Sequence, residues 1–134
     1  MRRSAALLAL LLVAGCGSSD TSVRRDLLRG VAQIRLTHDA RKLQTELRRT
    51  LASLRRDRAS TAAERRAKEL ATRGFEATLA GVQSQIDFYE NDSGNIEAAT
   101  RDALRADRSR ARGARLLRAA GRALGLRIGS LGDR

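Results

Sequence analysis

No proline interrupts the 134 residues of this chain, and that absence constrains the fold more than any other feature. Proline stops helices and removes ladder hydrogen bonds. Without it, a chain dominated by alanine, leucine, arginine and glutamate is free to stay helical over long stretches. β-Branched residues nowhere alternate with polar ones over the length of a strand, so sheet is not expected. From residue 23 onward the sequence predicts an all-α domain spanning 23–134. Its form is a small antiparallel helical bundle or a long helical hairpin, of two or three helices.

The periodicity divides this domain into helices at about 23–58, 62–90 and 96–126. In the first, Leu28, Ala32, Leu36, Ala40, Leu43, Leu47, Leu51 and Leu54 recur at steps of four and three, which makes one apolar stripe. Val23, Leu27, Val31 and Ile34 form a second stripe on nearly the opposite side, a surplus that suits a partner protein or self-association. The alternative is a bend near Thr37-His38-Asp39. Ser22 is the expected N-cap. Thr61 and Glu64 have capping-box spacing; without a break there, one helix would run from 23 to 90 and need a coiled-coil partner. In the second helix Phe75, Leu79, Val82, Ile86 and Tyr89 follow the heptad pattern of coiled coils. The cluster Glu90-Asn91-Asp92-Ser93-Gly94-Asn95 reads as a tight turn between antiparallel neighbours. The last helix carries a small-residue face through Ile96, Ala99, Ala103, Ala114, Leu117, Ala120, Leu124 and Ile128. Its late glycines predict fraying after about residue 125.

The start of the chain is an address rather than part of the fold. Arg2 and Arg3 precede the apolar run Ala5–Ala14, and Gly15-Cys16 follow. The run is shorter than the roughly 20 residues that span a bilayer, and its layout is that of a signal peptide. Val13-Ala14-Gly15-Cys16 resembles the lipobox of bacterial lipoprotein precursors. The resemblance covers residues 1–16 only. It implies removal of residues 1–15, acylation of Cys16 and residence on the extracytoplasmic face of a bacterial membrane. Residues 16–22 then form the lipidated cysteine and a short polar tether. Two or more acyl chains anchor a protein stably.

Composition excludes much common chemistry. One cysteine cannot close a disulfide within the chain. One histidine, His38, and one cysteine are too few for a His/Cys metal cluster. No Gly-x-Ser-x-Gly elbow surrounds a serine, and no glycine-rich phosphate loop is present. The residues therefore point to no catalytic site, no metal and no cofactor, and to a protein that is not an enzyme.

Charge supplies the one positive signal. Residues 105–134 hold nine basic and two acidic side chains, against 16 and 13 in residues 17–104. At about 3.6 residues per turn, Arg108, Arg112, Arg115, Arg118 and Arg122 share one side of the last helix. Leu116, Leu117, Ala120, Leu124, Ile128 and Leu131 share the other. Such a helix suits anionic lipid headgroups or an anionic envelope polymer. Nucleic acid is not expected as a partner outside the cytoplasm. Two readings follow: a lipid-anchored helical envelope protein with a structural or protein-interaction role, or a membrane-surface or polyanion-binding module acting through these arginines.

Overall fold

The computed structural model describes residues 21–91 and 94–131; the lipobox and Cys16 lie outside them. It contains four helices: α1 (Ser22–Leu36), α2 (Ala40–Arg56), α3 (Ala62–Glu90) and α4 (Ile96–Ala123). The all-α class stands, but the count of two or three helices does not. The long first helix expected over 23–58 is two helices, because Asp39 starts a new one. Its side chain accepts from the Lys42 amide at 2.7 Å, while Thr37 and Asp39 take extended backbone angles. A short polar side chain that satisfies a free amide favours a helix start there by about 1 kcal/mol.

The break resolves the two apolar stripes. α1 buries Val23, Leu27 and Val31 and leaves Leu28 42% and Leu36 77% exposed. After the turn, the stripe Leu43, Leu47, Leu51 and Leu54 is the buried one. What reads in sequence as a second face for a partner is α1's own core face.

Each helix has a side-chain N-cap. Thr21, not Ser22, caps α1 by accepting from Arg24. Thr61 and Glu64 form a full capping box on α3, and Asn95 accepts from the Ala98 amide on α4. Gly94, at φ +63°, supplies the left-handed residue that leads into that cap.

Successive helices run antiparallel. Thr50 donates to Gln33 at 2.8 Å, and Thr37 to Glu46 at 2.9 Å, which aligns α1 against α2. Arg55 pairs with Glu76 at 2.7 Å and Gln44 donates to Gln83 at 2.6 Å, which aligns α2 against α3. α3 is the hub: it packs on α1, α2 and α4, whereas α2 and α4 do not pack on each other. Two i,i+4 charge pairs that the sequence offers, Glu64 with Lys68 and Lys42 with Glu46, are not formed among the described residues. Lys68 ignores Glu64 and donates to the Arg55 and Asp57 carbonyls at 2.8 and 2.7 Å. It thereby neutralises the C-terminal end of α2. Glu46 takes the Thr37 hydroxyl rather than Lys42.

The α3–α4 contact is close because small residues line it. A Cβ on Gly113 would stand 2.3 Å from Thr78 Oγ1 and 2.9 Å from the Gly74 carbonyl oxygen; one on Gly74 would meet Leu117 at 2.8 Å. α3 consequently has two buried faces: Gly74, Thr78 and Gly81 toward α4, and Phe75, Val82 and Ile86 in the apolar core. The expected heptad face ends before Tyr89, which is 70% exposed. The beginning of α4 also departs from expectation: Ile96 is 81% exposed, and Ala106 is the first buried residue of the helix.

α4 ends at Ala123, short of residue 126. Gly125 at φ +69° donates to the Arg122 carbonyl at 3.1 Å, and Leu126 donates to that of Gly121 at 2.8 Å, the two bonds of a Schellman motif. The described residues beyond, up to Leu131, do not fray from the body. Ile128 and Leu131 enter the core from a non-helical tail, and Arg35 Nε donates to the Ser130 carbonyl at 3.3 Å.

Candidate functional site

The five arginines singled out by sequence lie where the helical projection puts them. Arg108, Arg112, Arg115 and Arg122 are exposed and Arg118 is half-buried. From Arg108 to Arg122 the row is about 21 Å long. None of the five is in an ion pair among the described residues. The acidic partners stop earlier: Arg101 pairs with Glu97 at 3.3 Å and Arg105 with Asp102 at 3.9 Å. Several basic side chains of α2 and α3 are by contrast engaged, although Arg48 and Arg49 on α2 are exposed as the α4 row is. Arg55 holds Glu76, Arg73 holds Glu69 at 3.7 Å, Arg65 donates to the Ser60 carbonyl and Lys68 to the end of α2.

The opposite side of α4 is committed to the bundle. Leu117 and Ala120 are fully buried, and Leu116 and Leu124 pack against the core. The helix therefore presents charge outward without offering an apolar face to lipid. Its Arg face can act only through electrostatics and hydrogen bonds, unless α4 leaves the bundle at the cost of that burial.

Alternating helix directions bring the N-terminus of α1 and the C-terminus of α4 to one end of the molecule. The same end holds a pair of carboxyl groups that composition alone does not reveal. Asp26 is 1% exposed and bonds Arg29 at 3.2 Å. Its Oδ2 and that of Asp57 are both buried without a hydrogen-bond donor. Burial, first, and the Asp26 charge, second, push the Asp57 carboxyl above its ordinary value of 3.8, while Ser22 and Lys68 pull it back. Asp57 also caps the C-terminus of α2, where a negative charge opposes the helix dipole.

A carboxyl group raised in the folded state holds its proton longer folded than unfolded. Its contribution to stability is complete below pH 3.8 and is lost as pH rises through the folded value. Asp57→Asn removes this loss and offers Asp26 an amide donor. The variant should gain up to about 1 kcal/mol at pH 7, after allowance for solvent screening, and little at pH 4. Urea unfolding of both proteins at the two pH values measures the difference. Equal or lower stability of the variant at pH 7 would show that the pair carries no penalty.

Sequence reading had one signal for this pair. Asp26 sits at a core position of α1, between Val23 and Gly30 and next to Leu27, where a carboxylate is out of place. Its partner, 31 residues away, is legible only once α1 and α2 fold back on each other. His38 is exposed on the α1–α2 turn. Asp87 accepts from Gln83, and Glu90 pairs with Arg41. Among the described residues no three of His, Cys, Asp and Glu converge as metal ligands, and no helix is long and apolar enough to cross a membrane. The chain matches no known protein family, no curated protein and no solved structure.

Proposed function

We propose that this chain is a lipid-anchored helical protein of the bacterial cell envelope, acylated at Cys16, whose α4 arginines bind anionic groups at the surface to which it is tethered. The observation that carries the reading is the row Arg108, Arg112, Arg115, Arg118 and Arg122. It is unpaired among the described residues and mostly exposed, on a helix whose other side is locked in the core. The anchor supports it. Residues 17–21 reach at most about 18 Å, and they lead to the end of the bundle where Arg118 and Arg122 stand. Lipid phosphates are thus the first anions within reach. Contact is electrostatic and superficial, without insertion of α4.

Vesicle binding tests this. The mature chain, residues 16–134 with Cys16→Ser and so without signal peptide or acyl chains, should sediment with phosphatidylglycerol-containing vesicles at low salt and not with phosphatidylcholine alone. Raising salt should release it, since exposed charges are screened beyond about 10 Å at 0.1 M. Each arginine near such a surface contributes about 1 kcal/mol or less. Reversing two charges, as Arg115→Glu with Arg118→Glu, should weaken binding on the order of a hundredfold with the helical signal unchanged. Equal binding by the double variant, or by uncharged vesicles, would end the proposal. Binding only to soluble polyphosphate would move the ligand from lipid to envelope polymer.

A further inference from the structure

We propose that a cavity between the α1–α2 turn, the middle of α3 and α4, and the C-terminal tail binds a small monoanion with an apolar body, of the class of aromatic or branched-chain carboxylates. The cavity measures about 170 Å³; an engineered apolar cavity of about 150 Å³ accommodates benzene. Leu43, Val82, Leu117 and Leu131 supply apolar wall from α2, α3, α4 and the tail. The charged group in that wall is Arg110, and no carboxylate lines the cavity.

Arg110 is built into this position. It belongs to the core side of α4, one turn from Ala106 and from Gly113–Ala114, and not to the exposed arginine row. A Cβ on Gly81 would stand 2.8 Å from Arg110 Cγ, so the glycine leaves the notch through which the methylene stem crosses α3. The guanidinium then donates through Nη2 to Gln85 Oε1, a neutral acceptor that orients it and leaves its charge uncompensated. Among the described residues no acid pairs with it. A half-buried guanidinium held this way retains donors for a carboxylate, and Leu43, Val82, Leu117 and Leu131 give an apolar body a surface to lie against beside the polar Thr37, Thr78 and Gln85. His38 lies at the rim and adds a second polar contact. The site is separate from the exposed Arg row and does not depend on its role.

Benzoate is the probe, with benzyl alcohol and acetate as controls for charge and for apolar body. The mature chain, residues 16–134 with Cys16→Ser, is titrated by methyl NMR. Saturable shifts are expected at Leu43, Val82 and Leu131 with benzoate, at least tenfold weaker with either control. Arg110→Gln should weaken benzoate binding about tenfold or more, the loss of one charge-assisted hydrogen bond, with an unchanged thermal midpoint. Ala40→Leu, which fills the cavity from the start of α2, should abolish the shifts independently of Arg110. No saturable shift into the tens of millimolar, benzyl alcohol binding as tightly as benzoate, or shifts confined to methyl groups outside the cavity, such as Leu116 beside the exposed arginine row, would each overturn the proposal.

Discussion

Phe75→Ala should destabilise the protein by about 3–5 kcal/mol, the range for truncating a large aromatic in a packed core. Phe75 is fully buried and is the largest of the fully buried side chains. It stands at the one place where α3 meets α1 end-on to a glycine. A Cβ on Gly30 would be 2.2 Å from Phe75 Cζ, so ring and glycine are fitted to each other. Folded domains are stable by only about 5–15 kcal/mol, so this single truncation removes a large share. α1 has few other contacts with α3 and α4, and it should lose protection from hydrogen exchange before α3 does. The coupling is testable separately. Gly30→Ala should be costly in the native background and much cheaper once Phe75 is leucine, giving a non-additive double-mutant cycle. Additive effects, or a loss below 1 kcal/mol for Phe75→Ala, would mean that α1 is not docked through this ring.

The second large effect is expected at the α3–α4 contact. Alanine is a better helix former than glycine by about 1 kcal/mol, so Gly113→Ala should stabilise an isolated α4. In the bundle it should do the reverse. The new methyl would collide with the Thr78 hydroxyl and with the backbone of α3, and backbone cannot move aside as a side-chain tip can. Overpacking of this kind costs roughly 3 kcal/mol at the upper end of the common range, which leaves a net loss of about 2 kcal/mol. Thr78→Ala should restore only part of it, because the Gly74 carbonyl oxygen remains 2.9 Å from the added carbon. Denaturant unfolding followed by circular dichroism measures all three proteins. A Gly113→Ala protein as stable as the native one would mean that the two helices are farther apart than their glycines imply.

Much of this architecture is legible in the residues themselves. The turn around Gly94, the Thr61–Glu64 capping box and the small-residue side of α4 all carry local signals, and local signals act through nearest neighbours on the chain. What escapes is tertiary. The Leu28–Leu36–Leu43 series reads as one stripe because helical spacing continues through Thr37-His38-Asp39. Nothing local decides whether Asp39 caps a new helix or sits exposed within a long one. That choice belongs to the core: folding back buries Val23, Leu27 and Val31 against α2 and α3, which a straight helix would leave in water. Ile128 and Leu131 likewise look like a continuation of α4's apolar side, yet they reach the core after Gly125 has turned the chain.

The candidate sites divide in the same way. The arginine row is visible because five residues on one helix share a face through periodicity alone. Arg110 is hidden in the same run of arginines. Only its spacing with Ala106, Gly113 and Leu117 sets it on the inner side, and only the glycine notch on α3 gives it a destination. Asp57 acquires its unusual environment from Asp26 across a hairpin that the one-helix reading does not contain.

The central claim is that these four helices close on themselves, with the arginine row left over on the outside. Sedimentation equilibrium combined with circular dichroism over a wide concentration series tests it most directly. A self-closed bundle gives a monomer mass throughout, with the helical signal of α1–α4 the same at every concentration and one cooperative melt. Helicity that climbs with concentration, together with a mass that rises to a dimer or beyond, would mean that the core is shared between chains and that the bundle described here is not the folded unit.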